Sequence, residues 1–108
     1  MKIAVMGTGS WGTALAQVLA DNNNEVLLYG INPKEVDDIN LNHKNSKYFD
    51  DLDISHSLKA TTNMNDIQDS DIVLLAVPTI AVEDIAKKVF ENYANIKCEV
   101  FLASEFRY

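Results

Sequence analysis

The segment GTGSWG, residues 7–12, sets three glycines at the spacing G-x-G-x-x-G. The chemistry open to such a segment belongs to its backbone. Gly7 permits a tight turn, Gly9 lets main-chain N–H groups approach an anion with no Cβ in the way, and Gly12 allows a following helix to lie close against a preceding strand. Together with the positive end of the helix macrodipole, those N–H groups bind phosphate without calling on a basic side chain. The same pattern occurs by accident in turns that bind nothing. It reads as a dinucleotide-binding turn only between a strand and a helix.

Both elements are legible. KIAVMG (2–7) is a short apolar run that stops at a glycine, as a buried parallel strand does. From 11 to 20, Trp11, Ala14, Leu15, Val18 and Leu19 recur at helical spacing and predict a helix whose apolar stripe packs on a sheet. EVLLYG (25–30) is a second buried strand. Asn32-Pro33-Lys34-Glu35 then offers an N-cap, a proline for the first turn and a glutamate to complete a capping box, opening a short helix to about residue 41. Residues 42–57 show neither period and predict a long exposed loop. LKATT (58–62) is a modest third strand, 63–68 about one helical turn, and DIVLLAV (71–77) a fourth strand. A helix capped by Thr79 follows, with Val82, Ile85, Ala86, Val89 and Phe90 inward and Glu83, Asp84, Lys87 and Lys88 outward. Residues 99–103 form a fifth strand. This alternation predicts an α/β fold: a Rossmann-like, doubly wound parallel sheet of about five strands, with helices on both faces. Its ligand belongs at the carboxyl ends of the strands, where strand order reverses. GTGSWG and the turn Ala76-Val77-Pro78-Thr79 both stand at that edge.

The choice between NAD and NADP is made near the end of the second strand, where an NAD site ordinarily offers Asp or Glu to the adenosine ribose. Here the strand runs into Gly30, Ile31, Asn32 and Pro33, with no carboxylate. Asn32 can hydrogen-bond a ribose, and Lys34 can meet a 2′-phosphate or stay a solvated surface charge. NAD and NADP both stay open. Trp11 can lie against the cofactor or pack under the helix. Tyr48 and Phe49 are loop anchors or the edge of a flap. His43, Asp50, Asp51, Asp53 and His56 match no metal-binding spacing, so no metal site is expected.

The 108 residues, 47% hydrophobic and 23% charged, suit one globular domain with a packed core. Nine basic against 16 acidic side chains give a net charge of -7, which opposes nucleic acid and anionic membrane surfaces as partners. No apolar run reaches the ~20 residues of a membrane span. A lone cysteine, Cys98, forms no internal disulfide, and the amino terminus lacks the pattern of a secretory signal. A cytoplasmic protein is the expectation.

GTGSWGTALAQVLADNNNEVLLYG, the NHKNSKYF stretch and DIVLLAVPT resemble, in that order over residues 1–89, the amino-terminal part of bacterial NAD(P)-dependent glycerol-3-phosphate dehydrogenase. The run GSWGTALA is far more specific than the bare glycine pattern. The resemblance implies an oxidoreductase of glycerophospholipid biosynthesis. Its reaction is reversible hydride transfer between NAD(P)H and dihydroxyacetone phosphate, giving sn-glycerol 3-phosphate. It implies a cofactor site of Gly7, Gly9, Ser10, Trp11 and Gly12, with Tyr48 near the cofactor side of the cleft and Pro78 in the family's AVP turn. Ile31 stands where the family commonly has a basic or polar residue at the ribose or its 2′-phosphate, a departure that weakens the case for NADP.

A larger departure is carboxyl-terminal. The family follows its fifth strand with a lysine and a glycine that help hold substrate and cofactor, whereas Ala103 here runs into Ser104-Glu105-Phe106-Arg107-Tyr108, with Ser104 where the family has lysine. In the family a helical domain supplies the catalytic lysine and most substrate contacts. The expectation is therefore a truncated, partial dinucleotide-binding domain over 1–108, without that helical domain and without a catalytic residue. Such a chain binds NAD or NADP without turnover and meets dihydroxyacetone phosphate or glycerol 3-phosphate only in a full-length enzyme. Two other readings stand beside it: a stand-alone nucleotide-binding or sensing module that acts with a partner, and an inert fragment that folds poorly. An uncapped sheet edge favours self-association as a homodimer.

Overall fold

Strands built from uninterrupted apolar runs must be covered on both faces, and the chain achieves this by winding out from its first strand in two directions. A computed structural model describes residues 1–49, 53–77, 79–92 and 97–100. Its strands are β1 (Lys2–Met6), β2 (Glu25–Tyr29), β3 (Lys59–Thr61), β4 (Ile72–Leu75) and β5 (Lys97–Val100). Its helices are α1 (Ser10–Asp21), α2 (Pro33–Asp37) and α3 (Thr79–Asn92), with a π-helical turn at Asp38–Asn42 and a 3-10 turn at Met64–Ile67. All strand pairs are parallel, in the order β3-β2-β1-β4-β5. Order reverses at β1, where Met6 lies between Tyr29 of β2 and Leu75 of β4.

The period-2 alternation of β1 divides the core. Ile3 and Val5 join Ala16, Ala20, Val26, Leu28, Val36 and Ile39 on the face covered by α1 and α2. Ala4 and Met6 join Ile67, Val73, Leu75 and Val89 on the face covered by α3 and the 3-10 turn. Helices on both faces and a sheet of five parallel strands are the doubly wound architecture read from the sequence.

Several elements depart from their expected form. The buried face of α1 is Gly12, Thr13, Ala16 and Ala20, while Trp11 and Val18 are exposed and Leu15 and Leu19 partly buried. The cause is the glycine turn, which draws the helix close to the sheet at Gly12, so that its fully buried positions take small side chains while Leu15 and Leu19 pack at the flank of the core. In α3, Val89 is buried but Phe90 is exposed, and Thr79 is the first helical residue rather than its cap. The fifth strand lies at 97–100 instead of 99–103, and residues 101–103 fall outside the described residues. The 42–57 segment is no simple exposed loop. Ile54 enters the core, the Ser55 N–H donates to Gln17 Oε1 of α1 (2.9 Å), and the His43 and His56 rings stack at 3.7 Å. Asp50 and Asp51 are outside the described residues.

The outer edge of β3 is closed by a side chain. Asn40 Nδ2 donates to the Ala60 carbonyl (2.9 Å), and the Ala60 N–H donates to Asn40 Oδ1 (2.8 Å). This amide replaces one residue of a neighbouring strand and blunts the edge against pairing with another chain.

Candidate functional site

At the carboxyl end of β1 the chain must turn inside the space left by two neighbouring strands. The Gly7 N–H donates to the Tyr29 carbonyl (2.8 Å) and the Ala76 N–H to the Met6 carbonyl (2.9 Å), so the turn is tied between the ends of β2 and β4. Gly7 adopts φ 125°, a region L side chains rarely enter, and a Cβ there would lie 2.4 Å from the Ala76 carbonyl oxygen. A Cβ on Gly12 would lie 1.8 Å from the Gly7 carbonyl oxygen, the contact that brings α1 against the turn. Gly9 differs from both: a Cβ there meets nothing within 4 Å. It is the N-cap of α1, provides no side chain to the helix end, and no acidic residue occupies the first turn. A backbone open at Gly9 in front of an uncapped helix N-terminus fits a phosphate group, since the first N–H groups of a helix have no intrahelical partner and carry partial positive charge.

Side chains lock this turn from below. Thr8 is buried, and the position facing it, Gly30 at the end of β2, has no room for a Cβ, which would lie 2.2 Å from Thr8 Cγ2. Asn45, from the segment after α2, donates from Nδ2 to the Thr8 carbonyl and to Thr13 Oγ1, both at 2.8 Å, and the Thr13 hydroxyl donates to the same carbonyl (3.2 Å). Asn45 is 1% exposed, and its Oδ1 is buried without a hydrogen-bond partner.

Glu35 completes the arrangement in a way the sequence reading misses. The expected capping box is only half formed: Asn32 Oδ1 accepts from the Lys34 N–H (3.0 Å), but the Glu35 carboxylate turns to the glycine loop. Its Oε1 accepts from the Thr8 hydroxyl (2.7 Å), and its Oε2 accepts from Asn32 Nδ2 (3.1 Å) and faces Lys47 Nζ at 3.8 Å. A carboxylate therefore does stand beside the end of β2, contrary to the expectation that none does. Its only signal in the sequence is a glutamate a few residues beyond the strand.

Two cavities open on this edge. One of about 210 Å³ is lined by Met6, Gly7, Thr8, Tyr29, Gly30, Ile31, Val77 and Ile85, almost entirely apolar. The other, of about 500 Å³, lies on the α2 side and is lined by residues that include Asn32, Lys34, Glu35, Asn45 and Lys47. Gly7, Gly9, Ser10, Trp11 and Gly12 thus sit in or directly after the turn, Ile31 lines the first cavity and Asn32 the second. Tyr48 lines neither; its N–H donates to the Asn45 carbonyl (3.0 Å), and Lys47 Nζ lies 5.4 Å from its ring centroid. Pro78 is outside the described residues. Among the described residues no three His, Cys, Asp or Glu side chains gather as metal ligands, and no helix is long and apolar enough to cross a membrane.

Residues 2–103 match the family of NAD-dependent glycerol-3-phosphate dehydrogenase N-termini. The chain belongs to this family. A Streptococcus uberis relative, glycerol-3-phosphate dehydrogenase [NAD(P)+], is 46% identical over 92 residues, covering 84% of this chain and 27% of the relative. A Macrococcus caseolyticus relative of the same description is 42% identical over 103 residues, covering 94% of this chain and 30% of its own length. Among solved structures, glycerol-3-phosphate dehydrogenase from Coxiella burnetii superposes with a TM-score of 0.84 at 27% identity, covering 94% of this chain and 32% of that one. The chain thus spans about a quarter to a third of the length of these family members. The likeness read from GTGSWG and DIVLLAVPT holds and extends beyond residue 89. NAD or NADP is the cofactor of this family of oxidoreductases.

Proposed function

We propose that this chain is the nicotinamide-dinucleotide-binding part of a glycerol-3-phosphate dehydrogenase. The observation that carries the reading is the open backbone at Gly9, set at the point where strand order reverses and directly before an uncapped helix. In this reading the main chain of Gly9, Ser10, Trp11 and Gly12 holds the pyrophosphate, while Gly7 sets the turn. Ile31 and the apolar cavity beside it receive the adenosine half, Asn32 bonds its ribose, Tyr48 lies near the cofactor side of the cleft, and the turn holding Pro78 belongs to the nicotinamide side. The bound dinucleotide supplies or accepts a hydride.

The full reaction is then reversible hydride transfer between NAD(P)H and dihydroxyacetone phosphate, giving sn-glycerol 3-phosphate for phospholipid synthesis in the cytoplasm. Such a transfer needs a polarised carbonyl and a proton donor. This reading assigns both to the helical domain that the family resemblance implies, so residues 1–108 bind cofactor without turnover. A homodimer belongs to the same reading, and it does not use the β3 edge, which Asn40 occupies.

The test uses Trp11, exposed in the first turn of α1, as donor of excitation energy to reduced nicotinamide. Titration with NADH is expected to give saturable quenching. No saturable quenching by NADH or NADPH, on a chain folded by circular dichroism, would refute the reading.

A further inference from the structure

The carboxylate that β2 lacks at its own end is delivered by α2. Glu35 is held at three points, by the Thr8 hydroxyl at 2.7 Å, by Asn32 Nδ2 at 3.1 Å and by Lys47 Nζ at 3.8 Å, and its side chain is only 12% exposed. Thr8 lies between the first two glycines and packs on Gly30, so this carboxylate is fixed at the place from which a doubly wound sheet reads the adenosine ribose. Resting on the dinucleotide-binding reading above, we propose that Glu35 selects NAD(H) over NADP(H).

A ribose 2′-hydroxyl can donate a hydrogen bond to a carboxylate. A 2′-phosphate carries negative charge and presents chiefly acceptors, and it meets repulsion there. The cavity beside Glu35 is lined by three carboxylates, Glu35, Asp37 and Asp38, against two ammonium groups, Lys34 and Lys47. Lys47 already faces Glu35. With one carboxylate in excess, this lining disfavours a further anion. The rival arrangement, with Lys34 and Lys47 gripping a 2′-phosphate, predicts the opposite preference.

Titrating the chain with NADH and NADPH, read by quenching of Trp11, decides between them. The unsubstituted chain is expected to bind NADH the more tightly. Glu35→Gln keeps an acceptor for Thr8 but removes the charge, and should narrow the ratio of the two dissociation constants by about fivefold or more. Lys47→Met leaves the carboxylate without its counter-charge and should widen that ratio. A preference for NADPH in the unsubstituted chain, or an unchanged ratio in a Glu35→Gln chain that still binds NADH, would overturn the proposal. If Glu35→Gln fails to fold, a ratio unmoved or narrowed by Lys47→Met overturns it. Failure of the unsubstituted chain to bind either dinucleotide is a different result, which removes the dinucleotide-binding reading and this proposal together.

Discussion

A single added side chain separates the two tasks of the glycine turn. At Gly12 a Cβ would meet the Gly7 carbonyl oxygen at 1.8 Å, and a backbone atom cannot step aside. Gly12→Ala must push α1 off the turn, and urea unfolding is expected to show a loss of about 1–3 kcal/mol, as for overpacked cores. At Gly9 the space is open. Gly9→Val is expected to cost about 1 kcal/mol or less of stability, the scale of an N-cap change, yet to abolish dinucleotide binding. Asn45→Ala takes one partner from the Thr8 carbonyl and one from the Thr13 hydroxyl; a stability loss of about 1–3 kcal/mol is expected, measurable as a lower denaturation midpoint. The glycines are legible in the sequence because their spacing is itself the signal. Glu35 and Asn45 are not, because each acts on Thr8 across 27 and 37 residues of chain. A glutamate three residues after an asparagine reads locally as a capping box. Only the folded position of the β1–α1 turn offers it a better donor, the Thr8 hydroxyl.

Among elements, the strands are the legible class. Burial on both faces writes β1, β2 and β4 as continuous apolar runs, and no alternative period competes with them. Helix α1 is legible as a helix but only partly in its orientation: Leu15 and Leu19 of the expected stripe pack against the core, whereas Trp11 and Val18 are exposed and the fully buried residues are Gly12, Thr13, Ala16 and Ala20. The 42–57 segment hides its core contact because Ile54 belongs to no helical or strand period. One polar contact in this region gives a pH signature. The Ser46 N–H donated to Asp38 Oδ2 (2.9 Å), helped by Asn42 Nδ2 at Oδ1 (3.0 Å), holds the Asp38 carboxyl below its ordinary 3.8. A carboxyl lowered by folding contributes stability above its unfolded value and loses it as pH falls through the folded one. The chain is therefore expected to be more stable than Asp38→Asn at pH 7. That gap should close below about pH 4 in thermal melts taken across pH.

At the scale of the whole molecule, the order β3-β2-β1-β4-β5 puts the reversal of the sheet at β1, and the glycine turn follows β1 directly. Topology and motif therefore meet at one point on the carboxyl edge. The opposite edge has a cavity of its own, of about 200 Å³, lined by Lys2, Glu25, Lys59, Asp66 and Asp69 among others, with none of the glycine turn in it. A nicotinamide dinucleotide should distinguish the two edges cleanly. The deciding measurement is an amide NMR titration of the 108-residue chain with NADH. The expected result is saturable shifts at Gly7, Thr8, Gly9, Gly12 and Gly30, with Lys2, Glu25 and Asp69 unmoved. Shifts confined to Lys2, Glu25 and Asp69, or a folded chain whose glycine-turn amides do not respond at saturating NADH, would contradict dinucleotide binding at this turn.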